Sequence, residues 1–215
     1  MGWLGWCMLG ALWGVLAYTY GTGRKAMACA AVILGALHFA FGYASATEIP
    51  RAAQQYRRNL TRNAHMVWGL DAPVATFGAQ IHQESGWRPD ARSPYAHGLA
   101  QFTPASADWI GNLDPALANP DTGNPVWALR ALVRYDRWLW DRVPAARNGC
   151  ERMALALRGY NGGLGYVQRE AKTGKPCEAF RSATSCRENL AYPVRILGRY
   201  EPLYLRAGWG LGSCS

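Results

Sequence analysis

Phe77, Ile81 and Glu84 lie four and three residues apart. A helix through them puts all three side chains on one side. A carboxyl group would then share an apolar face at the last turn of that helix. Burial disfavours the charged form of a carboxyl and raises its pKa. A carboxyl that keeps its proton near neutral pH can act as a general acid. Position alone leaves a second reading open: Glu84 at the edge of the face, in solvent or in an ion pair with Arg88 or Arg92.

Other chemistries find little support. There is no His-Glu-x-x-His motif, and His65, His82 and His97 are scattered, so a zinc amidase lacks ligands. His82-Gln83-Glu84 has the His-x-Glu form of zinc deaminases, but Pro176-Cys177 has no close second cysteine after it. Gly162-Gly163-Leu164-Gly165 lacks the Lys-Ser/Thr of a phosphate loop. No Gly-x-Ser-x-Gly elbow is present. No metal and no cofactor is expected.

The elements that must position Glu84 read as helices. Residues 51–69 form an amphipathic pattern. Asp71 is a plausible N-cap, with Pro73 in the first turn, for a helix running to about Ser85. Residues 125–142 place Trp127, Ala131, Leu132, Tyr135, Trp138 and Leu139 on one broad stripe, a helix of core residues. Residues 151–158, 164–171 and 188–199 read as shorter helices. Period-2 alternation between turns is absent, which argues against strands. Between Gly86 and Pro104 the chain is rich in Gly, Pro and Ser without a period; connections of that length tend to be functional.

The chain has 215 residues, enough for one globular unit and a tail. Half of its residues are hydrophobic, which excludes a disordered chain. Residues 1–46 carry only two charges, Arg24 and Lys25. Residues 1–20 and 26–46 are each uncharged and each about as long as a bilayer-spanning helix. With the cations between them held in the cytoplasm, a hairpin would put both its ends outside. A competing reading takes Ala44-Ser45-Ala46 as the cleavage site of a signal peptide. Either reading exports residues 47–215.

That exported part holds 21 Lys and Arg against all 14 Asp and Glu, a formal +7. A basic balance suits an anionic partner: nucleic acid, anionic lipid or an acidic wall polymer. The longest like-charge runs are pairs such as Arg57-Arg58, so charge alone does not choose. Cys150, Cys177, Cys186 and Cys214 also lie in the exported part, where two disulfides are expected. Cys177 and Cys186 enclose a short loop and are the expected pair, leaving Cys150 with Cys214. Zinc loses to disulfides because no short paired Cys or His spacing is present.

The residues that follow Glu84 form an ordered set. Glu84-Ser85-Gly86-Trp87 leads to Ala91-Arg92-Ser93, Gly98-Leu99-Ala100-Gln101 and Pro104. Gly159-Tyr160-Asn161-Gly162-Gly163 follows, then Glu188-Asn189-Leu190-Ala191-Tyr192 running into Val194-Arg195-Ile196-Leu197. This succession resembles the soluble lytic transglycosylase family of lysozyme-like peptidoglycan enzymes. The chain departs from the family pattern at Ala100, where Met is usual, and at Asn189, where Thr is common. Its turn from Ser93 to Gly98 is one residue short, and Pro193 follows Tyr192.

The resemblance implies an all-α, lysozyme-like domain over residues 47–215, preceded by a hydrophobic helical segment or hairpin over residues 1–46. It implies cleavage of the MurNAc–GlcNAc β-1,4 bond with formation of a 1,6-anhydro end. Glu84 would be the single catalytic acid and base, and the sugar's own 6-hydroxyl the nucleophile, so no second carboxylate is needed. Tyr192 would orient Glu84; without the motif it reads as a core tyrosine. Gln101 and Asn161 would hold acetamido and hydroxyl groups, Tyr160 would line the groove, and Ser93 would support Glu84 or the acetamido group. Ser85 could do the same or cap the helix end. The implied partner is a peptidoglycan glycan strand, with the membrane met through residues 1–46, no nucleic acid, and a monomeric catalytic domain outside the cytoplasm. A hydrolytic muramidase on the same fold and a non-catalytic glycan-binding module are the alternatives.

Overall fold

The computed structural model describes residues 48–214. The proposed membrane hairpin or signal peptide of residues 1–46 lies outside them. Residues 49–215 form one compact unit. Its elements are α1 (Ala53–Trp68), α2 (Val74–Ser85), α3 (Pro104–Gly111), α4 (Pro125–Trp140), α5 (Gly149–Gly162), α6 (Leu164–Thr173), α7 (Ala183–Pro193), a π-helical run Val194–Tyr200 and α8 (Glu201–Arg206). Among the described residues there is no strand, only isolated bridges from His97 to Arg92 and to Phe102. The unit is all-α, as the periodicity implies. None of its described helices is long and apolar enough to cross a membrane.

The core is built on α2. Nine of its twelve residues are buried, because it packs against α1, the π run and α8 at once. Phe77 and Ile81 are fully buried, as their spacing predicts. A Cβ on Gly78 would stand 2.7 Å from Tyr204 Cδ1 and 3.2 Å from Trp209 Cε3, so only glycine lets these rings lie against the helix. The expected stripe of α4 also faces inward: Trp127, Ala131, Leu132 and Leu139 are buried, and Tyr135 and Trp138 pack at its margin.

Helix ends follow local chemistry. Thr103, Asn124, Asn148 and Ser182 each accept a backbone N–H with their side chains at the starts of α3, α4, α5 and α7. Asp71 does not cap α2. The helix begins two residues later than that cap would require, at Val74 behind Pro73, with no side-chain cap. Ala75 N–H donates instead to Leu211 O at 3.0 Å, so the C-terminal tail satisfies this helix start. The pattern expected over residues 188–199 divides between two elements. Proline has no N–H to donate, and the chain passes from α7 into the π run right after Pro193.

Two disulfides close the fold, Cys150–Cys214 and Cys177–Cys186, the pairs anticipated from spacing. The first ties the tail to the start of α5. The carboxylate of buried Glu201 helps to seat the same tail, accepting Ser213 N–H at 3.1 Å, Cys214 N–H at 3.2 Å and the hydroxyl of Thr76.

Candidate active site

Glu84 sits in the last turn of α2, half-buried. The turn is pinned from below. Gly86 closes the helix in the left-handed region with φ 60°, and its N–H returns to His82 O at 3.0 Å. Trp87 is also left-handed, at φ 66°, unusual for a bulky residue. Full burial holds it there: its indole N–H donates to Tyr204 OH, and its ring lies 5.4 Å from that of Trp209. The end of α2 therefore has little freedom to move.

The hydroxyl of Tyr192, from α7, donates to Glu84 Oε1. Burial pushes the Glu84 carboxyl up to about 7, with Tyr192 opposing, Glu188 adding to the rise and Arg195 lowering it. Such a group is divided between acid and base at neutral pH. Neither Arg88 nor Arg92 pairs with it: Arg88 Nε donates to Ser85 O at 3.0 Å, and Arg92 is exposed. The nearby cation is Arg195, whose guanidinium is committed to Glu188 and to Gln83 Oε1 at 3.2 Å.

The other nominated residues meet through α5 and α7. The Tyr160 ring lies 6.5 Å from that of Tyr192 and nearly parallel to it. Its hydroxyl donates to Ala100 O at 2.6 Å, which fastens the 86–103 connection to α5. Gln101 carries a positive φ of 49°, and its Nε2 donates to Gly98 O at 2.8 Å and Ala91 O at 3.1 Å. Its amide nitrogen thus braces its own loop. A Cβ on Gly98, at φ 81°, would fall 1.8 Å from Thr122 O, so the Gly-Leu-Ala-Gln turn needs glycine there. Asn161 is exposed, and its Oδ1 accepts from Asn189 Nδ2 at 3.2 Å. Asn189 is itself buried and also donates to Arg158 O at 2.8 Å.

Glu84, Tyr192, Tyr160 and the Ala100–Gln101 turn thus form one connected wall, with Asn161 joined through Asn189. Ser93 and Ser85 are not part of it. The Ser93 hydroxyl is spent on its own turn, accepting Ala96 N–H at 3.0 Å and Tyr95 N–H at 3.4 Å. The Ser85 hydroxyl is buried and bonds back to Ile81 O at 3.3 Å.

Asp136 was not anticipated. It is fully buried on α4, and its Oδ1 accepts from Gln80 Nε2 at 3.3 Å. Gln80 stands one turn before Glu84 on α2. Burial holds the Asp136 carboxyl well above the usual carboxylate range, with Glu84 adding to the rise. The signal was present in the chain: Asp136 lies four residues after Leu132 and three before Leu139, on the apolar stripe itself. It is the same pattern that singled out Glu84. No cluster of His, Cys, Asp and Glu among the described residues could hold a metal ion.

The family model described as Transglycosylase SLT domain matches residues 69–179, just over half of the chain. That stretch holds Glu84, Ser93, Gln101, Tyr160 and Asn161 and ends before Tyr192. A membrane-bound lytic murein transglycosylase F from Pasteurella multocida (strain Pm70) is 33% identical over 101 residues, 46% of this chain and 18% of the relative. The protein of that name from Vibrio cholerae serotype O1 (strain ATCC 39541) is 31% identical over 129 residues, 60% of this chain and 21% of the relative. The one from Maricaulis maris (strain MCS10) is 34% identical over 92 residues, 42% of this chain and 19% of the relative. The chain spans about a fifth of the length of these curated relatives. No solved structure gives a significant match.

Proposed function

The chain belongs to the transglycosylase SLT family, and from that premise we propose that it is a lytic transglycosylase that cuts the glycan strands of peptidoglycan at the MurNAc–GlcNAc β-1,4 bond. The observation that carries this reading is the hydrogen-bonded pair of Glu84 and Tyr192, with the Glu84 carboxyl near 7. A group at that value can give up a proton and recover one within a single turnover.

In this reading, protonated Glu84 delivers its proton to the glycosidic oxygen as the bond to C1 breaks. The leaving sugar departs with a free 4-hydroxyl. The carboxylate of Glu84 then takes the proton from the 6-hydroxyl of the muramyl residue as that oxygen closes on C1. The product is a 1,6-anhydro ring, no water is consumed, and Glu84 ends protonated as it began. Tyr192 holds the carboxyl while its charge changes. Tyr160, Gln101 and Asn161 line the wall along which the strand would lie.

A hydrolytic muramidase needs a positioned water, usually with a second carboxylate. Glu188, the one acid in the other motif blocks, is exposed and tied to Arg195, and Asp136 is paired with Gln80. Those commitments favour the intramolecular route. The names of the relatives and the uncharged stretches 1–20 and 26–46 support an enzyme held at a membrane, with residues 47–215 outside the cytoplasm.

The test is mass spectrometry of fragments released from purified peptidoglycan by the chain. Anhydro-muramyl ends, about 18 Da lighter than hydrolysed ones, are expected, and Glu84→Gln should release almost none. Reducing muramyl ends would establish the muramidase instead. No release from wall material that a control enzyme digests would favour the binding module.

A further inference from the structure

We propose that Asp136 is a positioning residue held as the neutral acid in a two-bond pair with Gln80, and that this pair keeps a second negative charge from standing behind Glu84. The proposal rests on the reading of Glu84 as the acid and base. Gln80 Nε2 donates to Asp136 Oδ1, while Gln80 Oε1 and Asp136 Oδ2 are both buried and without a partner.

A carboxylate has no proton to offer, so it can accept from the amide but leaves the amide oxygen unmet. A carboxylic acid and an amide can share two bonds, N–H to one carboxyl oxygen and O–H from the other to the amide oxygen. One proton on Asp136 Oδ2 therefore satisfies both orphaned oxygens together. Leaving a buried polar atom unmet costs stability, and leaving a buried charge without a partner costs more. Both costs vanish in the neutral pair.

Burial and Glu84 disfavour the charged form of Asp136, and only the N–H of Gln80 opposes them. The ionisable groups that influence it or feel its charge are Glu84 from α2, Tyr160 from α5, Tyr192 from α7 and neighbouring Tyr135. None is a cation. The arginines beside it on α4 are committed elsewhere, Arg134 to Leu113 O and Arg137 to Asp141. An ionised Asp136 would repel the charge on Glu84 and hold that carboxyl protonated, which would spoil it as a base. The neutral pair leaves Glu84 free to change state. Because Gln80 and Glu84 share one face of α2, the pair also fixes the rotation of that helix against α4.

Two measurements test this. The first is carbon-13 NMR of the chain labelled at the aspartate carboxyl carbons, with Asp136→Asn to assign the signal. Asp136 is expected to keep the shift of a protonated acid from about pH 5 to about pH 8, where an ordinary aspartate is ionised. A carboxylate shift at about pH 6 overturns the proposal, and this readout needs no enzymatic activity. The second is the basic limb of kcat/KM against pH. Gln80→Glu lets the pair lose a proton and hold a charge, so the limb should move up by about one unit. Asp136→Asn, which can still pair with Gln80, should leave the limb in place. A downward move in Asp136→Asn would show that the native aspartate was charged and would overturn the proposal even if Gln80→Glu failed to fold.

Discussion

Tyr192 and Glu84 are 108 residues apart in the chain, and the hydroxyl of one donates to the carboxyl of the other. The tyrosine side chain is buried, so this bond is made away from competing water. It favours the carboxylate, and so partly cancels the effect of burial on Glu84. Tyr192→Phe should therefore lower kcat about 10- to 100-fold, the worth of one hydrogen bond to a charged group. KM should stay within about twofold, and the basic limb of the pH profile should move up. Steady-state kinetics on isolated glycan strands would show it; an unchanged kcat would return Tyr192 to ring packing alone.

Removal of the Glu84 carboxyl is a harsher test. Glu84→Gln keeps the shape and one acceptor for Tyr192 but has no proton to transfer. Activity should fall about 100- to 10,000-fold, the range of general acid–base contributions. Circular dichroism should be unchanged. Substantial residual cleavage would remove Glu84 from the role assigned to it.

The same substitution should stabilise the fold at high pH. The Glu84 carboxyl rises from 4.5 to about 7 on folding. Its contribution to stability is therefore complete below about pH 4.5 and is lost as pH climbs to about 7. Glu84→Gln has no charge to bury. It should match the native chain near pH 4 and exceed it by up to about 3 kcal/mol above pH 7. Denaturant unfolding of both proteins across that range measures the difference; parallel curves would mean that the native carboxyl is not held up by burial.

The two disulfides should differ in worth. Cys150–Cys214 spans 64 residues and Cys177–Cys186 spans 9. Loop-closure entropy assigns about 4 kcal/mol to the first and about 2.5 kcal/mol to the second. Replacing Cys150 and Cys214 together with Ser should lower the melting temperature more than replacing the other pair. The longer bridge also holds the tail whose Leu211 carbonyl caps α2, so its loss should reduce activity as well. Equal shifts for the two pairs would argue against that coupling.

Much of this molecule is legible along the chain. The faces of α2 and α4 follow from repeats of three and four residues, because a helix places those neighbours on one side whatever lies across from them. The motif order nominated Glu84, Tyr192, Gln101, Tyr160 and Asn161, and the fold brings these into one wall. Loops are less readable. Ser93 looked available, yet its hydroxyl closes its own turn, a local bond that competes with any outside partner. Asp71 looked like a cap, yet the tail reached the helix start first.

Periodicity could say that Asp136 and Glu84 each sit on an apolar face, since that information is carried within a few residues of each. It could not say that the two faces meet, with Gln80 between them, or that Tyr192 would arrive from the far end of the chain. Those partners are chosen by packing, where Gly78 admits Tyr204 and Trp209 against α2 and Trp87 fixes its end. A carboxyl's pKa depends on its solvent and its neighbours in space. Residue type and spacing therefore nominated Glu84, while the tertiary structure decided the surroundings that raise its pKa.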